Sequence, residues 1–273
     1  GLAALRDHGA GVRWEIDVGD TYWLASLFYL GEWREMAHVT ELLLRDAIDR
    51  GDVIAQQCLR SGRCNLAWLM LGKPDEARAQ LELAERTVGE GFYLANVQML
   101  TAAANIDLYC GDAAAAAKRL DDAWPHLERT GVLRLQQPRI ELQLLRVRTL
   151  LADPRADGHL RTARGIADEL IKEGAPWAVG LGHLIRASVL AWAGSEDLAM
   201  RELGVAEQHL QATQMMGFLH VAQMYRGRLE GGAAGTARID AARELLRDAG
   251  ASEPDTVAAL LLPWPGDVRS RFE

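Results

Sequence analysis

Residues 194–206 read GSEDLAMRELGVA, and this stretch decides the fold. A glycine (Gly194) is followed by alanine five positions on (Ala199), leucine nine on (Leu203) and alanine twelve on (Ala206). The same spacing returns at Gly72, Ala77, Leu81 and Ala84, and at Gly111, Ala116, Leu120 and Ala123. A degenerate copy starts at Gly31, with Met36 and Leu43 at the alanine positions. Two more start at Gly158 (Ala163, Ala167, Leu170) and Gly232 (Ala237, Ala241). The six starts lie 41, 39, 47, 36 and 38 residues apart, a period that predicts stacked helical hairpins. In each, the glycine ends a first helix, where a positive φ disfavours any side chain. Ser195, Asp112 or Lys73-Pro74-Asp75 then opens a second. The small residues lie two turns apart on one face, so the paired helices can approach closely.

The first helix of each pair is the more apolar, as in Thr21–Leu30 (TYWLASLFYL) or Leu181–Ala193, and the second is more polar. That contrast predicts an inner layer covered by an outer one. The pattern gives about twelve helices, near 15–30, 32–50, 52–71, 74–88, 92–110, 112–129, 133–152, 158–173, 177–193, 195–213, 215–230 and 234–248. No stretch alternates with period two for long enough to make a strand. The fold class expected is all-α: a right-handed α-solenoid of about six antiparallel hairpins over 1–251, closed by a capping segment at 252–273. Trp264, between Pro263 and Pro265, would fold back there over the last repeat.

With 30 basic and 38 acidic residues the 273-residue chain carries a formal charge of −8, which argues against wholesale phosphate binding and so against nucleic acid. No run of eighteen apolar residues is present, so no membrane span is expected. No basic-then-apolar leader opens the sequence. It starts at Gly1, and GLAALRDHGA reads as the tail of a helix, suggesting a piece of a longer protein. Three cysteines, Cys58, Cys64 and Cys110, fit reduced thiols on helices and a cytoplasmic location better than a disulfide framework.

Motifs for chemistry are missing. The seven histidines include no pair four apart on one helix, and no Cys-x-x-Cys occurs, so no metal site is expected. There is no phosphate-binding loop and no nucleophile elbow, and hence no catalytic residue or cofactor is assigned. Asp107, inside an apolar helix, reads as part of a polar helix face or as a buried carboxylate tied to a neighbouring helix rather than as a catalyst. Between Arg129 and Arg164, eight arginines meet only three acids (Glu141, Asp153, Asp157). Arginine suits bidentate capture of carboxylate or phosphate. A solvated face of intramolecular ion pairs explains the stretch at least as well.

The hairpin signature resembles the tetratricopeptide repeat, here with longer loops. Four segments resemble something narrower: Val12–Asp17 (VRWEID), Asn105–Asp112 (NIDLYCGD), Val132–Arg148 (VLRLQQPRIELQLLRVR) and Thr256–Pro263 (TVAALLLP). Together they are similar to the C-terminal repeat region of large bacterial serine/threonine kinases that also carry a nucleotide-binding ATPase module. Related repeats occur in bacterial transcriptional activators of the ATPase-plus-repeat type. The resemblance implies a sensor or docking region of a signalling protein, with no kinase motif in this chain.

The function expected is non-enzymatic: binding of a protein or peptide segment, acidic in character, or of the parent protein's own kinase or ATPase domains. The residues expected to face the binding groove are Arg63, Gln98, Asn105, Arg139, Gln143, Arg146 and Arg186. Two alternatives stand beside it. One is a superhelix that closes around a small effector, for which a deep pocket with convergent polar groups would speak. The other is a self-association scaffold.

Overall fold

The computed structural model describes residues 11–87 and 94–266. The first ten residues, read above as a helix tail, lie outside the described residues, as do 88–93 and the end of the capping segment, 267–273. Among the described residues all regular structure is helical. The elements are α1 (Arg13–Leu30), α2 (Trp33–Asp49), α3 (Val53–Arg60), α4 (Leu66–Met70), α5 (Pro74–Glu85), α6 (Leu94–Tyr109) and α7 (Ala113–Thr130), then a 3-10 turn at Val132–Arg134. They continue with α8 (Gln136–Ala152), α9 (His159–Glu173), α10 (Pro176–Trp192), α11 (Glu196–Ala212), α12 (Met216–Glu230), α13 (Gly232–Ala249) and α14 (Pro254–Leu261). No helix among the described residues is long and apolar enough to cross a membrane.

Helices adjacent in sequence pack against each other, and their burial alternates. Nine of the seventeen residues of α10 are buried but only four of the seventeen in α11. The contrast repeats between α12, with nine buried, and α13, with three. The small-residue stripe explains the close pairing. Ala77 and Ala84, Ala163 and Ala167, and Ala199 and Ala206 are all fully buried, where a larger side chain would overpack the helices. Gly31 ends α1 with φ 80°, its amide donating back to Phe28 O at 3.2 Å.

Three expectations are corrected. The helix expected over 52–71 is two, α3 and α4, because the chain breaks at Ser61 and Gly62 (φ +55°). In the last repeat Ala237 and Ala241 are exposed, and Gly235, Ala242 and Leu246 are buried instead. The stripe slips because Gly235 crosses Gly227 backbone to backbone, and a Cβ on Gly235 would stand 2.3 Å from Gly227 O. Third, the segment after 252 includes a further helix, α14, beyond the twelve expected. Trp264 is buried and stacks on Tyr225 of α12, with ring centroids 4.4 Å apart. The Tyr225 hydroxyl donates to Ala258 O at 2.9 Å and also bonds Leu262 O, while Ser188 Oγ of α10 donates to Pro263 O at 2.7 Å. Residues 258–264 are thus held by the more buried helices.

The two ends of the described chain also meet. Trp33, fully buried at the start of α2, lies on Gly217 of α12 so closely that a Cβ there would stand 2.3 Å from the indole. Phe28 and Phe218 pack edge to face at 6.2 Å. The α13–α14 turn touches the first helices too. Gly250 abuts the Arg34 backbone, Arg34 Nη2 donates to Arg247 O at 3.2 Å, and Ser252 N–H donates to Met70 O at 2.9 Å.

Candidate functional site

Where the ends meet, a cavity of about 530 Å3 opens between α1, the α3–α4 turn, α6, α8, α12 and α14. That volume is in the range of small-molecule sites. A depression of about 290 Å3 adjoins it, sharing Trp14, Val18, Thr21 and Cys58. Phe28, Leu144, Phe218 and Leu261 give the larger cavity an apolar wall.

Its polar groups are placed by local structure. At the α3–α4 break, Gly62 N–H donates to Gln98 O of α6 at 2.9 Å, and a Cβ at position 62 would stand 3.2 Å from the Gln98 side chain. Buried Asn65 secures the turn, its Nδ2 donating to Arg60 O and Ala77 O, each at 2.9 Å. The next residue after Gly62, Arg63, reaches Glu141 of α8 and forms an ion pair with it. Glu141 Oε1 also accepts from the Tyr29 hydroxyl at 3.2 Å and from Gln137 Nε2 at 3.1 Å. The Arg63 guanidinium lies over the Tyr29 ring, 5.4 Å from its centroid. Burial, then the Glu141 charge, holds the Tyr29 phenol well above its usual range, so it stays a donor. Burial likewise pushes the Cys64 thiol up to about 12 and keeps it protonated at neutral pH.

Two turns beyond Glu141 on the same face of α8 stands Arg148, only 6 % exposed. Its Nη1 donates to Leu260 O of α14 at 3.2 Å, and its Nε has no acceptor among the described residues. Burial pushes its pKa down to about 10, which leaves it charged at pH 7. Asn105 of α6, 1 % exposed, also lines the cavity. Neither its Oδ1 nor its Nδ2 has a hydrogen-bond partner among the described residues. Buried polar groups left in this state are uncommon and costly in folded proteins.

Of the seven residues expected to face a groove, Arg63, Gln98 and Asn105 line this cavity together. The other four lie elsewhere. Arg139 pairs with Glu173 of α9 at 2.6 Å and donates to Leu133 O at 3.0 Å. Gln143 donates to Glu169 at 3.0 Å. Arg146 covers the Trp124 ring at 4.4 Å, and Arg186 pairs with Asp168 at 2.6 Å. Arg139 and Arg146 of the arginine-rich stretch are thus held in intramolecular contacts, as is Asp107, which accepts from Arg119 Nε of α7 at 2.6 Å. Sequence reading passed over Tyr29, Glu141 and Arg148 as site residues. The available signal was an arginine inside an apolar run (residues 147–152, VRTLLA) with a glutamate seven positions earlier on the same face. No family model, curated protein or solved structure matches the chain.

Proposed function

We propose that this chain is a non-catalytic, tetratricopeptide-like right-handed solenoid that closes on itself around a small effector molecule. One observation carries the reading. A single cavity is walled both by α1, near the start of the described chain, and by Leu261 of α14, near its end. An occupant would touch both ends at once, so its binding energy would favour the closed arrangement over any looser one. That is the requirement for a sensor. On the resemblance to repeat regions of bacterial kinases and ATPase-plus-repeat activators, the output would pass to an attached signalling domain.

The test is saturable binding of Nile red, an uncharged dye whose fluorescence rises in apolar sites. One site per chain is expected. Thr101→Trp, which places an indole in the cavity, should abolish it while circular dichroism stays unchanged. Dye binding that does not saturate, or that Thr101→Trp leaves intact, rules the cavity out as a binding site. A second reading, docking of a protein segment, is favoured by Trp14 (72 % exposed) and Tyr22 (59 % exposed), which border the cavity. Under that reading Trp14→Ser would weaken partner capture and leave dye binding unchanged.

A further inference from the structure

We propose that the central cavity takes a small molecule bearing one carboxylate on an apolar body, with Arg148 and Asn105 receiving the carboxylate. The inference rests on the effector-binding reading above and narrows it to a chemical class.

Charge comes first. Of the charged groups lining the cavity, two are guanidiniums, Arg63 and Arg148, and one is a carboxylate, Glu141. Arg63 takes Glu141 as its ion-pair partner, and Tyr29 and Gln137 also donate to the same oxygen. Arg148 forms no ion pair with any described residue, so one positive charge is left in a buried place. A monoanion balances it. A cation would add to it, and a dianion would leave a buried negative charge in its stead.

Hydrogen-bonding capacity points the same way. Arg148 has five N–H donors, and its one bond among the described residues, to Leu260 O, fixes the guanidinium against α14. The fork of a guanidinium matches a planar carboxylate in two parallel bonds. Asn105 adds a carboxamide with no partner of its own among the described residues, able to donate to the same group. The body of the ligand would lie on Phe28, Leu144, Phe218 and Leu261, which offer no partner to a polyhydroxylated one.

A competition experiment on the full chain decides it. Nile red in the cavity is displaced with 4-phenylbutyrate, or with 4-phenylbutanamide, which has the same shape and no charge. The acid is expected to compete at least tenfold more tightly at pH 7.5. Asn105→Leu and Arg148→Lys should each erase most of that preference while altering competition by the amide less than threefold. Asn105→Leu removes no protein–protein hydrogen bond present in the structure, so it keeps the test informative if Arg148→Lys loosens α14. Equal competition by acid and amide in a chain that binds the dye overturns the carboxylate assignment and leaves effector binding standing. If titration calorimetry detects neither dye nor acid, both readings fall. A chain-terminal carboxylate is the other source of this chemistry, and a free-acid pentapeptide of Ala, Leu and Phe is compared with its amide. Capture of the peptide acid in the absence of phenylbutyrate binding reassigns the site to a peptide terminus and overturns the small-molecule proposal.

Discussion

Helix α8 carries arginines on two opposite faces, and the faces are put to different use. Arg139 and Arg146 lie seven apart on one face, and Glu141 and Arg148 lie seven apart on the other. On the first, every guanidinium meets something local: Glu173 and two backbone carbonyls, or the Trp124 ring. On the second, Arg63 arrives from a distant segment and takes Glu141, and Arg148 is left with a single hydrogen bond among the described residues. Rows of charge at the same heptad spacing thus separate into a structural face and a face with unused capacity. The difference arises from what the rest of the chain brings opposite each row.

The contrast can be tested by breaking one contact on each face at a time. Glu141→Gln should have the largest effect. It leaves Arg63 without a counter-charge and takes from Arg148 its nearby negative charge. Breaking a buried pair from one side costs about 3–5 kcal/mol, and partial exposure of this pair reduces the expected loss to about 2 kcal/mol, read from the urea midpoint. A loss below that of the outer-face variants would erase the distinction. Arg146→Ala comes next, with about 0.5–1 kcal/mol from the lost contact over Trp124, and it should leave dye binding unchanged. Loss of dye binding in that variant would mean the outer face shapes the cavity.

The smallest effect is a pH dependence. Hydrogen bonds from Gln136 and Arg139 hold the Glu173 carboxyl below its usual pKa. Its unfolded form therefore binds a proton more readily, and the contribution to stability is present above about pH 4.3 and lost as pH falls through the folded value. Glu173→Gln should cost no more than about 1 kcal/mol at pH 7 and reduce the acid-induced loss between pH 5 and 3. An unchanged acid limb would show that this pair adds nothing to folding.

Local signals made the helix pairs legible. A glycine, a cap and small residues at fixed spacing need only one neighbour to act on, and Ala77, Ala163 and Ala199 are buried as the spacing requires. The last repeat misled because Gly235 is itself small enough to serve at the crossing. The helix within TVAALLLP and its contacts are not legible locally, because its partners, Arg148, Ser188 and Tyr225, lie on three other helices. The site was half legible for the same reason. Heptad spacing points to α8 and to its face with Arg139, Gln143 and Arg146, whereas the cavity is lined by Glu141 and Arg148, because the choice of face depends on Tyr29, Arg63 and Asn105 arriving from elsewhere.

The seam between Trp33 and Gly217 has a consequence for how the molecule is made. An open array of repeats can grow by duplication and unzip from either end, because each unit answers only to its neighbours. Here Arg34 bonds a residue 213 positions away, so this contact forms only after all the intervening residues have been synthesised. Such long-range closure raises the contact order and slows the last step of folding. It also constrains the length of chain between the two contacts, since inserting or deleting a helix pair there would move the seam out of reach of itself.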